Sequence, residues 1–334
     1  MSSIITPGRI ASPAEAQEFG QRGMEQLDHL LLGEEKAKEA TLTGIGSGAN
    51  VGLVGEPGGG KTTLAGNAHR LIEGLDESHL AVIPPLSDLT ARALVGGHME
   101  VKKQVDGVET VETTTIEPII HPDTKFIWAD EISRVAPHAT NAMLGAQESG
   151  VIVTTAGVVR LNGLIGGFST MNPAEGRQGT FPISKATASR HAIGAVLGDG
   201  NASDKEDTVL HILGGWTPNP DAVEPVVTLN DLTAIRNRVE QATAFPEDVK
   251  RATAAYVVAA ARSLEEAGYQ EAPHRIAKQV SRNARTLAAI RGQEAVGEAE
   301  ARQAVEFVVT ARVGMLATRS ANDAVEEIVK SILV

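Results

Sequence analysis

From residue 50 onward the apolar positions of this chain come in short runs parted by glycine, and beyond residue 225 they come at helical spacing. Residues 51–54 predict a strand, followed by a glycine-rich loop and a helix whose stripe is Leu64, Ala68, Leu71 and Leu75. Before it, the first 40 or so residues predict two short helical pieces, the second carrying Met24, Leu27, Leu30 and Leu31. Residues 101–105 and 108–114 flank Asp106-Gly107, a dipeptide suited to a tight hairpin turn, and 151–155 and 158–161 form a second hairpin across Ala156-Gly157. Residues 126–129 read as a buried strand and 168–171 as another. Between them, Pro137 suits the first turn of a helix that Gly150 can end. After Gly198-Asp199-Gly200-Asn201 the texture changes: Pro218, Pro220 and Pro225 mark a linker, and 231–242, 246–267, 274–291 and 298–313 are helical patterns. The expected architecture is an α/β parallel-sheet core with helices on both faces over residues 1–214, N-terminal helices included, followed by an all-helical domain over 215–334.

Length agrees with that division, since 334 residues suggest about two domains of ~150. The absence of cysteine excludes disulfides, thiolate zinc sites, iron–sulfur clusters and thiol catalysis. Two Trp, two Tyr and six Phe leave little material for stacking single-stranded bases, and a net charge of −12 opposes bulk binding to a phosphate backbone. Nucleic acid is therefore disfavoured as a partner. The N-terminus lacks the basic and apolar regions of a secretory signal, and no apolar run approaches the ~18 residues of a membrane span, so the expected location is cytoplasmic.

Two segments carry chemistry. Gly55-Glu56-Pro57-Gly58-Gly59-Gly60-Lys61-Thr62-Thr63 contains the phosphate-loop pattern G-x-x-x-x-G-K-[ST] without substitution. Glycines let successive N–H groups turn toward a polyphosphate, and the following helix presents its positive end. Lys61 supplies a mobile charge for the β- and γ-phosphates of ATP, and the Thr62 hydroxyl a ligand for Mg²⁺. Residues 126–131 form a strand ending in two acids: Asp130 to hold the Mg²⁺ hydration shell, Glu131 to orient and deprotonate an attacking water. The chain has no Asn-Lys-x-Asp tetrad, no Leu-Ser-Gly-Gly-Gln run, no His-Glu-x-x-His and no Gly-x-Ser-x-Gly. Guanine-specific GTPases, transporter-type ATPases, metallohydrolases and serine hydrolases therefore lack support, and motor-type ATPases remain.

Asp130-Glu131-Ile132-Ser133-Arg134 followed by Pro137 resembles the Asp-Glu-Ile-Asn-Arg-Ala-Pro segment of MoxR-type AAA+ ATPases, relatives of the magnesium-chelatase ATPase subunit. Asn172-Pro173-Ala174-Glu175 with Gly179-Thr180-Phe181, Leu32-Gly33-Glu34 and Pro273-His274-Arg275 resemble further stretches of that family, so the likeness runs from about residue 25 to 315. The resemblance implies that Asn172 is the first sensor, Arg275 the second, and Arg190 the arginine finger that reaches the γ-phosphate of a neighbouring subunit. Here the chain has Ser189-Arg190-His191 where the family has Asp-Arg-Phe, and Arg177 is a rival for the finger. It also implies a ring, a homo-hexamer, that spends ATP on remodelling or activating a client or adaptor protein, such as one carrying a von Willebrand A domain. The two hairpins would line its pore or top face.

One feature stands apart from the motifs. No acid occurs from residue 272 to 293, while Arg275, Lys278, Arg282 and Arg285 share one helical face. Such a stripe calls for an anion: nucleotide phosphate, acids of an adjacent subunit, or nucleic acid. A nucleic-acid motor and a metal-chelatase subunit share every ATPase motif and remain the alternatives.

Overall fold

The computed structural model describes residues 8–105, 108–154, 157–172, 180–198, 202–316 and 321–333. The chain opens with helices α1 (Pro13–Leu27) and α2 (Glu35–Ser47), then strand β1 (Val51–Gly55) and helix α3 (Lys61–Asn67). Strand β2 (Leu80–Ile83), helix α4 (Ala91–Val95) and the hairpin β3 (Gly97–Val105) and β4 (Val108–Ile116) follow. Next come β5 (Phe126–Ala129), α5 (Pro137–Ser149) and the hairpin β6 (Val151–Thr154) and β7 (Gly157–Arg160). The α/β part closes with β8 (Gly166–Met171), α6 (Lys185–Arg190) and β9 (Ile193–Leu197). Beyond it, the described residues form the helices α7 (Ala202–Leu213), α8 (Leu229–Gln241), α9 (Glu247–Glu266), α10 (Pro273–Ile290), α11 (Glu298–Leu316) and α12 (Ala321–Leu333).

The core is a five-stranded parallel sheet in the order β2-β5-β8-β1-β9, and the expected α/β class holds. Cross-strand register puts Trp128, Phe168 and Val51 on one face. There a Cβ on Gly44 of α2 would meet Val51 at 2.3 Å, and one on Gly66 of α3 would meet Trp128 at 3.0 Å. Gly52, Val54 and Gly194 lie on the other face against α11, where a Cβ on Gly194 would sit 2.2 Å from the Ala311 nitrogen. Both faces are thus covered, as buried parallel strands require. The N-terminal helices also pack on the C-terminal ones: Gly20 of α1 abuts Ile290, and Gly46 of α2 abuts Thr286.

Several elements differ from the pattern. The first helix stops at Leu27, so Leu30 and Leu31 lie in the segment leading to α2. Helix α2 escapes the pattern because residues 40–46 are buried all round, which leaves no amphipathic stripe to read. The helix after the phosphate loop ends at Asn67, whose side chain donates to the Thr63 carbonyl at 2.8 Å, and a 3-10 turn (Ala68–Leu71) continues it. In the second hairpin Thr154 pairs with Gly157, so Gly157 belongs to the strand and not to the turn. Burial of Ile152, with Val153 exposed, sets that register. The turns at 106–107 and 155–156, residues 173–179 with Arg177, and residues 199–201 lie outside the described residues.

Candidate active site

Strand β1 runs between β8 and β9, which come far later in the chain, so a crevice opens beyond its carboxyl end at the switch in strand order. The phosphate loop fills that position. Gly58 (φ 87°) and Gly60 (φ 84°) take left-handed conformations that a side chain would strain. A Cβ on Gly60 would also lie 2.4 Å from Leu31 Cδ1. Lys61 is buried, and its ammonium donates to the carbonyls of Gly55 (2.8 Å) and Glu56 (2.7 Å). Burial pulls its pKa below the usual lysine value, while Glu56, Asp130 and Glu131 push it back up. An anion in the loop favours the charged form in the same way.

The Thr62 hydroxyl donates to Asp130 Oδ1 at 3.1 Å, bringing two hard oxygen ligands together beside the loop. That donor set suits Mg²⁺, which takes one or two protein oxygens alongside substrate phosphate. The same Asp130 oxygen accepts from Thr170 Oγ1 at 2.6 Å, and Thr170 Oγ1 in turn accepts from the Glu131 N–H at 2.9 Å. Glu131 sits at φ 44°, a left-handed conformation that costs a non-glycine residue about 1–2 kcal/mol. Its carboxylate is gripped on both oxygens: Asn172 Nδ2 donates to Oε1 at 2.5 Å, and Arg134 Nε faces Oε2 at 2.7 Å.

Thr170 is a residue that motif reading misses. A hydroxyl two positions before Asn172 on a buried strand is its one signal in the sequence. Thr170→Val keeps the shape and strands the Glu131 N–H. We expect a loss of about 1–3 kcal/mol in denaturant unfolding, with slower turnover; unchanged values of both would show the bond to be idle.

These groups open on one cavity of about 1270 Å³. Its wall includes Leu30, Leu31, Leu32, Gly33 and Glu34 together with Thr208, Val209, Ile212 and Trp216 of α7 and the following linker. Hydrogen bonds hold the walls in place: Gly198 N donates to Glu34 Oε1, and Asn219 N to the His29 carbonyl, each at 2.8 Å. The proline-rich linker is thus a wall of the site, a role hidden by its lack of periodicity. Among the described residues no cluster of three His, Asp or Glu could hold a metal by itself.

Residues 50–191 match the family described as AAA domain (dynein-related subfamily). By that match the segment 50–191, which holds the phosphate loop and Asp130-Glu131, is an AAA domain. A "putative ATPase" from Cytophaga hutchinsonii has the same fold, with a TM-score of 0.69 at 20% identity over 96% of each chain. A full-length MCM homolog from Methanopyrus kandleri superposes at a TM-score of 0.51 with 14% identity, over 93% of this chain and 64% of that one. By sequence the chain is 24% identical over 226 residues to "Uncharacterized protein YeaC" of Bacillus subtilis (strain 168), 67% of this chain and 65% of that protein. It is 25% identical over 231 residues to "Structural protein ORF618" of Acidianus two-tailed virus, 68% of this chain and 36% of that protein. The match therefore spans less than two thirds of either relative's length.

Within the segment 50–191, Arg190 and the turn that follows it lie at the opposite end of the sheet from the phosphate loop. Ala192 N bonds the Asn50 carbonyl at the start of β1, whereas Gly55 pairs with Leu197 at its end. Five residues of strand separate the two ends by about 16 Å. Arg190 Nε faces Glu148 Oε2 at 3.0 Å. Arg275, from α10 beyond the AAA domain, donates to Ser189 Oγ at 3.0 Å at this same end. Neither arginine lines the cavity. The basic stripe is divided: Lys278, Arg282 and Arg285 line a separate groove with Glu240, whose carboxylate lies 3.7 Å from Arg282.

His191, next to Arg190, is fully buried, its Nδ1 on the Thr187 carbonyl (3.0 Å) and its Nε2 on Ser169 Oγ (2.9 Å). Burial, aided by the Arg312 charge, lowers its pKa to about 4. The unfolded chain binds that proton near pH 6.5 and the folded chain does not. Stability therefore falls as pH drops from 6.5 toward 4, by about 3 kcal/mol over the whole window. His69, lowered mainly by burial, adds to the same slope. Denaturant unfolding at pH 7, 6 and 5 should show the decline, and His191→Gln should flatten it; an equal slope in that variant would contradict the assignment.

Proposed function

We propose that this chain is a ring-forming AAA+ ATPase of the MoxR type that couples Mg²⁺-dependent ATP hydrolysis to the remodelling or activation of a partner protein. The observation that carries the reading is the convergence of Lys61, Thr62, Asp130, Glu131 and Asn172 on one cavity at the end of β1. Loop N–H groups and Lys61 would bind the β- and γ-phosphates, and Thr62 with Asp130 would hold the metal. When bound, Mg²⁺ offsets charge on the phosphate oxygens. Glu131 accepts a proton from the water that attacks the γ-phosphorus as the bond to the β-phosphate oxygen breaks, and Asn172 orients that carboxylate. For this, one Glu131 oxygen must leave Asn172 or Arg134 and turn to the water.

Arg190 and Arg275, about a strand's length from their own phosphate loop, act on the nucleotide of the adjacent subunit. That placement supports a ring over a solitary enzyme. The division of the basic stripe weakens its value as a track for nucleic acid. No described helix is long and apolar enough to cross a membrane. Because ligand shared across an interface stabilises it by mass action, Mg·ATP should convert small species to a ring on light scattering, with ATPase activity rising in step. A monomer at every concentration with full activity would contradict the proposal. Lys61→Ala should lose both assembly and nucleotide binding.

A further inference from the structure

We propose that Gln279 and Arg312 are positioning residues for Arg190, forming a clamp that ties the turn carrying it to helices α10 and α11. The proposal rests on the reading of Arg190 as the residue that acts across the subunit interface.

Helix α6 has six residues and ends at Arg190, so its last carbonyls lack partners within the helix. Side chains from distant parts of the chain take the carbonyls of the turn that follows. Arg312 Nη2 donates to the Ser189 carbonyl (3.1 Å) and Nη1 to the His191 carbonyl (2.6 Å), bracketing Arg190 on both sides. Gln279 Nε2 donates to Ser189 O at 3.1 Å, Asn50 Nδ2 to Arg190 O at 3.3 Å, and Asn283 Nδ2 to Ala192 O at 2.8 Å. All four carbonyls from 189 to 192 are thus held by side chains.

The clamp is itself fixed. Arg312 is 2% exposed and meets Glu271 with both carboxylate oxygens, Nε at 2.8 Å and Nη2 at 3.0 Å. Its Nη2 also bonds Gln279 Oε1 at 2.5 Å, locking α10 to α11 at this point. A planar guanidinium with its charge paired can span two carbonyls at fixed spacing, which an ammonium cannot. The Arg190 side chain stays outside the clamp, 30% exposed and paired with Glu148. The backbone of Arg190 is held by the clamp, while its guanidinium rests on Glu148 and on the Ala186 carbonyl (3.1 Å) and can exchange the Glu148 carboxylate for another anion. On its other flank α11 packs on β1, with Met315 Sδ 2.9 Å from a Cβ placed on Gly52. One helix therefore touches the strand that leads into the phosphate loop and grips the turn that bears Arg190.

Neither Gln279 nor Arg312 lines the nucleotide cavity, so their loss should act on turnover and leave ATP binding alone. Gln279→Ala preserves the Arg312–Glu271 pair, and Arg312→Lys preserves the charge but can hold only part of the turn. Single-turnover and steady-state hydrolysis should show kcat lowered about 10-fold to 10²-fold in each, with KM for ATP within about twofold of the parent, since a displaced group loses its effect steeply with distance. The decisive readout is the double variant. In an Arg190→Ala background Gln279→Ala should cause no further loss, whereas a merely structural role would lower both backgrounds by the same factor. Equal losses in both backgrounds, or an unchanged kcat in Gln279→Ala beside a slow Arg190→Ala, overturns the clamp alone. A full rate in Arg190→Ala removes the interface reading and the clamp with it.

Discussion

Glu131→Gln is expected to bind Mg·ATP as tightly as the parent chain and to hydrolyse it about 10²–10⁴-fold more slowly, the usual contribution of a positioned base. The amide keeps an oxygen for Asn172, and the bond from the main-chain N–H of residue 131 to Thr170 is untouched, so the strained backbone stays in place. What disappears is the group that takes the proton and the partner of Arg134. Equilibrium binding of a fluorescent ATP analogue and single-turnover ADP release separate the two effects. Normal hydrolysis would remove Glu131 as the base, and parallel loss of binding would mean that it holds the ground state. A variant arrested with ATP bound is also the form in which to seek the client, because its ring would stay closed on whatever it engages.

Arg190→Ala should bind ATP almost normally and turn it over ~10³-fold or more slowly, as expected for a charge that acts chiefly on the transition state from across an interface. Arg190→Lys should rescue little, because a point charge lacks the planar fork that can bridge two phosphate oxygens. Mixing decides between cis and trans. Arg190→Ala subunits keep a sound phosphate loop, and Lys61→Ala subunits keep a sound arginine. Each is inactive alone, yet an interface that joins one of each in the right order has both working parts. Mixed rings should recover part of the parent rate. No recovery, in rings shown to be mixed, would point to Arg177 or to a structural role for Arg190.

Much of this chain is legible from local chemistry alone. A glycine loop between a buried strand and a helix has few other physical uses, and its lysine and threonine follow from it. The runs at 126–129 and 168–171 are readable because a buried parallel strand is apolar on both faces. Gly150 is readable as a helix end, and it takes φ 66° there. These are properties of a residue and its near neighbours.

Where the pattern misleads, the controlling contacts come from far along the chain. Helix α2 carries glycines and threonines because it is sandwiched between β1 and α10, a circumstance that erases its periodicity. Trp216 opens a segment with the texture of a linker, yet it lines the cavity, since only folding brings it to the same wall as Leu30 and Leu31. Thr170 acquires its place only when β8 lies beside β5, and its hydroxyl then lies between Asp130 and the Glu131 N–H. Four basic residues on one helical face give a single sequence signal, but packing sends Arg275 to Ser189 and leaves the others beside Glu240. The sequence by itself determined which groups could meet a polyphosphate, because that depends on residue type and short spacing. Only the tertiary structure decided that Arg190 and Arg275 stand a strand's length from their own loop, because that distance is a property of how β1 and β9 pair.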